Sequence, residues 1–211
     1  MKYKNVYFIT GTAYAGKSTM VKLLADKYNG ILCEENYHDR LSDTLDSKEF
    51  PGLCYTRDLK DWRHFIRRTP DEYANWIHIT NKECEKLELV ILEELIKENK
   101  KIFVDTNISV ETLMKISDKD HVLIMLADPY ISVHRFFERP DREKQFLYKL
   151  LMNEENPEEA LENFKKCLER INNEEEYNRF LNCGFNVIIR DESRSINDTL
   201  KLVEGLFKLS K

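Results

Sequence analysis

The chain has 211 residues, a length that favours a single α/β domain, and 42% of them are hydrophobic and 34% charged. Its 33 Lys and Arg residues against 38 Asp and Glu residues give a formal net charge of −5, which argues against non-specific binding along a nucleic-acid backbone. No apolar run approaches the roughly 20 residues that span a bilayer, and 11 Phe and 10 Tyr residues argue against disorder as the dominant state.

Short β-branched or aromatic runs alternate with longer helical patterns, which is typical of βαβ units and a parallel sheet. The predicted strands are nearly all apolar, as expected for strands that helices cover on both faces. They comprise residues 6–10, 31–33, 102–105, 122–127 and 185–189. The predicted helices comprise residues 17–28, 80–99, a short helix capped by Ser109, a helix from Pro129 to Pro140 capped by Asp128, residues 141–153, a helix from Pro157 to Gly184 capped by Asn156, and a last helix after Ser195.

No internal repeat and no Gly/Ser-rich or Pro-rich linker divides the chain, so residues 1–211 are predicted to form one domain. Residues 36–79 have no strand pattern and lie between the second and third predicted strands. They are interpreted as an insertion on the substrate side of the sheet. The N-terminal segment lacks the basic-then-apolar layout of a signal peptide, and the scattered cysteines form no CxxC pair, so a cytoplasmic protein with reduced thiols is expected.

The strongest motif is the phosphate loop at residues 11–18, Gly-Thr-Ala-Tyr-Ala-Gly-Lys-Ser, a complete GxxxxGK[ST] between a predicted strand and a predicted helix. Glycine lets the backbone curl so that N–H groups converge on phosphate oxygens, and the helix N-terminus adds its positive dipole end. Lys17 is expected to reach the β- and γ-phosphates, and the Ser18 hydroxyl to bind Mg²⁺. ATP with Mg²⁺ is the predicted ligand, on Gly11, Ala13, Ala15, Gly16, Lys17, Ser18 and Thr19.

Asp105 ends the third predicted strand, in the position of a Walker B carboxylate. At the carboxyl edge of a parallel sheet it would lie near the phosphate loop and hold the magnesium ion together with Ser18. The alternative is an aspartate that only begins a turn.

GTPases and transporter ATPases are disfavoured, because the chain has no Asn-Lys-x-Asp base-reading motif and no LSGGQ-like signature. The chain resembles the P-loop nucleoside and nucleoside-monophosphate kinase superfamily, whose relatives include shikimate and gluconate kinases. The resemblance covers the whole chain in layout, and at motif level it rests on the phosphate loop and on an arginine-rich segment after the fourth strand. It implies a three-layer α/β sandwich with a five-stranded parallel sheet of order 2-3-1-4-5, a substrate-binding insertion after strand two and a lid after strand four.

The candidate lid spans residues 134–153, and its Arg-x3-Arg-x2-Arg-Glu spacing is similar to that of thymidylate and deoxynucleoside kinase lids. The resemblance implies that Arg135 contacts the nucleotide and that Arg139 and Arg142 act in catalysis. Arg135 and Arg139 are four residues apart and are predicted to share a helical face. Guanidinium groups suit the charge that phosphoryl transfer spreads over the equatorial oxygens. The alternative is a solvated face on which the arginines pair with neighbouring carboxylates.

The acceptor side is expected just after strand two, where the resemblance implies a carboxylate that contacts the acceptor hydroxyl. Glu35 is the first choice and Asp39 the reserve, with Glu34 facing elsewhere, and His38 is expected at the surface. The alternative is a polar loop in which the aspartate caps a helix.

The insertion is rich in arginines and aromatic residues, a composition that could stack a flat base and hold an anionic group. Arg57 and Arg63 are the predicted substrate contacts, and at least half of the aromatics are expected in the core. Residues 190–193 lie where the resemblance implies backbone contacts to adenine.

These observations predict an ATP- and Mg²⁺-dependent phosphotransferase acting on a small molecule, with a nucleoside or nucleoside monophosphate as the first choice. One alternative is a metabolite kinase similar to shikimate or gluconate kinase, and another is a regulatory nucleotide-binding module without catalysis. A polynucleotide 5′-kinase would need a basic groove, which the net charge does not indicate. No membrane or nucleic-acid partner is predicted, and a homodimer is left open.

Overall fold

The fold centres on a five-stranded parallel sheet, in a computed structural model that describes residues 3–138 and 142–209. The strand order β2-β3-β1-β4-β5 confirms the α/β class that the sequence pattern predicted and the order 2-3-1-4-5 that the resemblance implied. The strands are β1 Val6–Gly11, β2 Ile31–Cys33, β3 Ile102–Asp105, β4 Val122–Leu126 and β5 Asn186–Ile189.

The helices connect these strands and cover both faces of the sheet. Short 3₁₀ turns occupy Tyr37–Thr44, Ile96–Glu98 and Phe136–Glu138. The α-helices are α1 Lys17–Tyr28, α2 Pro51–Asp58, α3 Arg63–Ile66, α4 Pro70–Leu95, α5 Val110–Ile116, α6 Pro129–His134, α7 Arg142–Met152, α8 Pro157–Ile171, α9 Glu174–Leu181 and α10 Ile196–Leu206. Within the described residues, no helix combines the length and the apolar character needed to cross a membrane.

Two apolar clusters fill the space between the sheet and its helices. Because successive strand residues point to opposite faces, neighbouring positions of β1 contribute to different clusters. Tyr7 joins the cluster that contains Leu24 of α1 and Val203 of α10, whereas Phe8 joins the cluster that contains Leu92 of α4. The sheet is therefore the middle layer of three.

A third apolar cluster joins the insertion to the helices that follow β4. Its buried members are Phe65, Ile66, Tyr73, Val133, Leu151, Phe164, Cys167 and Leu168. The burial of Phe65 and Tyr73, with further aromatics of the insertion packed against them, confirms the expectation that at least half of these aromatics serve the core. The insertion is thus held against α6, α7 and α8 by shared packing.

Helix α4 begins ten residues before the predicted start at residue 80, so the insertion of residues 36–79 includes its first turns. The cause is a capping box that the periodicity analysis missed. The Glu72 backbone N–H donates to Thr69 Oγ1 at 3.3 Å, and the Thr69 N–H donates to Glu72 Oε2 at 2.8 Å. Pro70 then occupies the first helical turn, where its missing N–H costs nothing.

Two other predicted helices end early. Helix α6 stops at His134 and not at Pro140, because Phe136 and Phe137 turn towards Phe164, with ring centroids 5.8 and 5.7 Å away. The helix predicted from Pro157 to Gly184 is broken into α8 and α9, because the Asn173 side chain accepts from the Glu176 N–H at 2.9 Å and starts a new helix.

The capping box gives a stability prediction. Thr69→Ala should lower the free energy of unfolding by about 1 kcal/mol, because it leaves an N–H of the first turn of α4 without its acceptor. Urea denaturation measures the change. Thr56→Ala inside α2 removes the same atoms away from any cap and should cost clearly less; equal losses in the two variants would contradict the capping role.

Candidate functional site

The phosphate loop starts with a backbone that only glycine can adopt. Gly11 has φ +127°, and a Cβ placed there would lie 2.0 Å from the Met125 carbonyl oxygen. The next residue fastens the loop to β4, since the Thr12 N–H donates to Met125 O at 3.1 Å and the Ala127 N–H donates to Thr12 Oγ1 at 2.7 Å. The loop is therefore anchored at the carboxyl edge of the sheet.

The middle of the loop turns through two left-handed residues, Tyr14 with φ 63° and Gly16 with φ 91°. The Arg190 guanidinium donates to the Tyr14 carbonyl oxygen, and the Tyr14 hydroxyl donates to the Arg135 carbonyl oxygen. These bonds hold the turn from β5 on one side and from the segment after α6 on the other.

Helix α1 follows with an N-terminus suited to an anion. Gly16 provides no side-chain cap, and the first turn of α1 contains no acidic residue. The first N–H groups of a helix have no partner within the helix and carry the positive end of its dipole. The loop therefore presents N–H donors and positive potential at one place, as the motif predicted.

Three side chains meet where the loop reaches β3. The Ser18 hydroxyl donates to Asp105 Oδ2 at 2.7 Å, and Lys17 Nζ lies 4.0 Å from Asp105 Oδ1. Lys17 Nζ also donates to the Thr12 carbonyl oxygen at 3.1 Å. A hydroxyl and a carboxylate are oxygen donors of the kind that Mg²⁺ takes from a P-loop protein, the rest coming from phosphates and water. The residues predicted for the metal thus lie together and suit it.

Asp105 is 2% exposed, and this burial raises the pKa of its carboxyl group above the usual range. The positive charge of Lys17 and the hydrogen bond from Ser18 act in the opposite direction but do not cancel the effect of burial. A buried carboxylate with incomplete compensation costs stability, and a divalent cation would relieve that cost.

A second buried carboxylate, Glu88 of α4, was missed by the sequence analysis. It is fully buried and accepts from Thr106 Oγ1 at 2.5 Å, from the Asn107 N–H at 3.1 Å and from Asn107 Nδ2 at 2.9 Å. These are the two residues directly after Asp105. The signal was available, because Glu88 shares the apolar face of α4 with Ile91 and Leu92.

His38 is 3% exposed, so the expectation that it lies at the surface was wrong. Its Nδ1 lies 3.3 Å from Glu88 Oε1, and its Nε2 lies 3.2 Å from Cys84 Sγ. The histidine is buried because α4 covers the 3₁₀ turn after β2. Burial raises the pKa of the Cys84 thiol, which favours its neutral form. His38 and Glu88 together connect the turn after β2 to the residues that follow Asp105.

Two cavities flank the phosphate loop. The larger, of about 730 Å³, lies on the side of β3 and α4, and its wall includes Lys17, Glu35 and Asp105. The smaller, of about 290 Å³, lies on the side of β5 and α10, and its wall includes Gly16, Arg190 and Arg194. Residues 190–192 and Arg194 border this smaller cavity, in the region where the resemblance implied contacts to adenine. The phosphate loop thus lies between the two cavities.

The structure brings some of the predicted acceptor residues to the site and leaves others away from it. Glu35 lines the larger cavity, whereas Asp39 lies with its Oδ1 3.6 Å from His38 Nε2 and is not in that wall. Arg57 bonds to Asp58 and to two backbone carbonyls, and Arg63 bonds to Asp61. Neither arginine lines the larger cavity.

The two described arginines of the lid, Arg135 and Arg142, line neither of these two cavities. Arg135 and Arg142 are exposed, and Arg135 Nε lies 3.7 Å from Glu138 Oε2. The predicted catalytic residue Arg139 lies outside the described residues. Helix α6 ends at His134, so Arg135 lies just after it. Arg135 is therefore not part of the helix on which it was expected to share a face with Arg139.

The chain was compared with known proteins. No protein-family model matches the sequence, and no curated protein is significantly similar to it. The fold is compatible with a nucleotide-binding domain of the P-loop type, on the strength of the sheet order and the loop.

The raised pKa of Asp105 gives a pH prediction. A carboxyl group whose pKa is higher in the folded state destabilises the fold as the pH rises through its titration. Without nucleotide or metal, Asp105→Asn should therefore be more stable than the wild type at pH 7. The difference should shrink as the pH falls towards about 4, the ordinary pKa of an aspartate, because the carboxyl group is then protonated in both the folded and the unfolded chain.

Urea denaturation of both proteins across this pH range measures the difference. Asp26→Asn, at an exposed position of α1, serves as control and should show no comparable gain. An Asp105→Asn variant less stable than the wild type at pH 7 would contradict the role given to burial.

Proposed function

We propose that this protein is an ATP- and Mg²⁺-dependent phosphotransferase whose acceptor is a small molecule, a nucleoside or nucleoside monophosphate being the best candidate. The observation that carries the proposal is the arrangement of two cavities on opposite sides of the phosphate loop, with Lys17 and Glu35 in the wall of the larger one. A donor nucleotide and a separate acceptor need such a pair of spaces meeting at the transferred phosphate.

On the donor side, the phosphates are proposed to bind to the N–H groups of residues 13–19 and to Lys17, with the base in the smaller cavity. Ser18 and Asp105 would hold Mg²⁺, which when bound neutralises charge on the β- and γ-phosphates. The absence of a side-chain cap on α1 supports this placement, because nothing in the first turn competes with the phosphates.

On the acceptor side, Glu35 is proposed to align the attacking oxygen of the acceptor and, where that oxygen is a hydroxyl, to receive its proton. The acceptor oxygen forms a bond to the γ-phosphorus while the bond from that phosphorus to the β,γ-bridging oxygen breaks, and ADP leaves. Alignment contributes more than the base strength of the carboxylate, because the nucleophile needs little activation in phosphoryl transfer.

The lid is proposed to close over the γ-phosphate with Arg139 and Arg142, while Arg135 contacts the nucleotide. The hydrogen bond from the Tyr14 hydroxyl to the Arg135 carbonyl oxygen supports a lid that begins beside the loop. Closure would exclude water and limit hydrolysis of ATP. A regulatory module without catalysis would not need a carboxylate such as Glu35 in the wall beside Lys17, so this geometry favours the enzyme.

Lys17→Met should strongly reduce phosphoryl transfer, because it removes the only charge that the motif directs at the β- and γ-phosphates. We expect a loss on the order of a hundredfold to a thousandfold in a coupled ADP-release assay. The assay covers nucleosides, nucleoside monophosphates, shikimate and gluconate as acceptors. Lys22→Met, at an exposed position of α1, is the matched control; near-native turnover of Lys17→Met would refute the assignment.

Glu35→Gln should lower kcat on the order of a hundredfold and leave the KM for ATP unchanged, because only the acceptor side loses its carboxylate. Asp39→Asn is the matched comparison, since Asp39 neighbours the same loop but lies against His38 outside the cavity wall. Steady-state kinetics at varied ATP and acceptor concentrations separates the two effects. If Asp39→Asn lowered kcat more than Glu35→Gln does, Asp39 and not Glu35 would be the residue that aligns the acceptor.

A further inference from the structure

We propose that the acceptor carries an anionic group, a phosphate or a carboxylate, and that Lys82 and Lys86 of α4 bind it. The inference rests on the proposed function and names the chemistry of its acceptor. It moves the anion site from the arginines of the insertion, where the composition had placed it, to the long helix that borders the larger cavity.

The placement of the two lysines supports this site. Both lie in the wall of the cavity that also contains Lys17 and Glu35. They are four residues apart on one helix, so they share a face with a rise of about 6 Å between them. Two ammonium groups at this spacing can approach the oxygens of one phosphate or carboxylate from neighbouring directions.

The glutamates of the same helix have partners within the protein. Glu83 accepts from the N–H groups of Gly52 and Leu53 at 3.0 and 2.8 Å. Glu85 accepts from the Ser109 N–H at 2.8 Å and from Thr112 Oγ1 at 2.5 Å, and Glu88 holds the residues after Asp105. In the part of the chain that the structure describes, no carboxylate lies within 4.0 Å of the ammonium group of Lys82 or Lys86. Lys82 and Lys86 are thus the charged residues of α4 in the cavity wall that are available to bind a ligand.

Four arginines of the insertion are already engaged. Arg57 pairs with Asp58 at 2.8 Å and Arg63 with Asp61 at 2.7 Å. Arg67 pairs with Glu154 at 2.7 Å. The Arg68 guanidinium lies over the Tyr55 ring at 4.0 Å and outside the wall of the larger cavity. None of these four is placed to meet an acceptor beside the phosphate loop.

The rest of the wall suits a polar ligand. Arg179 bonds to Glu111 at 3.1 Å and to Glu176 at 3.1 Å, so these three charges are largely satisfied by one another. Amides line the same space and can both donate and accept hydrogen bonds; they are Asn81, Asn107, Asn172 and Asn173. An anion at the lysines and hydrogen-bonding groups at the amides would give the acceptor a fixed orientation.

Equilibrium binding tests the site independently of turnover. Titration calorimetry, in the presence of Mg²⁺ and a non-hydrolysable ATP analogue, measures the binding of three kinds of compound. They are the phosphates dTMP and CMP, the neutral nucleosides thymidine and cytidine, and the carboxylates shikimate and gluconate. We expect the wild type to bind an anionic compound at least about tenfold more tightly than the neutral ones. Addition of salt should reduce that preference, because the lysines are at the surface.

The double variant Lys82→Gln, Lys86→Gln should raise the Kd of the preferred anion by about tenfold to a hundredfold and leave the Kd of the ATP analogue unchanged. The matched control is Lys22→Gln, Lys165→Gln, which removes the same charge from exposed positions outside the cavity. Comparison of the Kd values for dTMP and CMP with those for shikimate and gluconate distinguishes an acceptor phosphate group from a carboxylate.

The inference is overturned if no anionic compound binds, if neutral nucleosides bind as well as the anions, or if the two double variants behave alike. The proposed function fails separately, by the absence of ADP release from the wild type with every acceptor. Anion binding that depends on the lysines would still support the site in that case.

Discussion

The hydrogen bond from Ser18 to Asp105 is the contact on which the candidate site depends. It joins the phosphate loop to the end of β3, two segments that are 87 residues apart in the chain. The bond exists because β1 pairs in parallel with β3 in a register that sets Ile9 opposite Asp105. With β3 elsewhere in the sheet, Ser18 and Lys17 would not have the carboxylate of Asp105 beside them.

Helix α4 organises the space around that contact through three hydrogen-bonded carboxylates, of which Glu83 and Glu88 are buried and Glu85 is half-buried. Glu83 holds the start of α2, Glu85 holds the start of α5, and Glu88 holds the loop after β3. Burying charge is costly unless hydrogen bonds compensate it, and each of these groups has at least two donors. The helix thereby connects the insertion to the residues that follow β3, while Lys82 and Lys86 lie in the wall of the larger cavity.

Much of the fold and of the nucleotide side could be predicted from local patterns. The phosphate loop needs specific glycines, and α1 begins at Lys17 as its motif requires. Side-chain caps at Ser109, Asp128, Asn156 and Ser195 start helices at the predicted places, because a cap bonds to an N–H two or three residues away. The sheet order came from the resemblance, which carries topology that spacing alone does not contain.

What the tertiary structure decided concerns partners that are distant in sequence. The burial of His38 depends on Glu88 and Cys84, about 50 residues away, and the orientation of Arg57 depends on carbonyls in a neighbouring turn. Periodicity identifies which face of an element is apolar, but not which polar group will meet it across the core. The phosphate loop, the helix caps and the apolar faces of the elements could therefore be predicted from the sequence. The walls of the larger cavity could not be predicted, because packing between remote segments alone determines which residues line it and which charges neutralise one another.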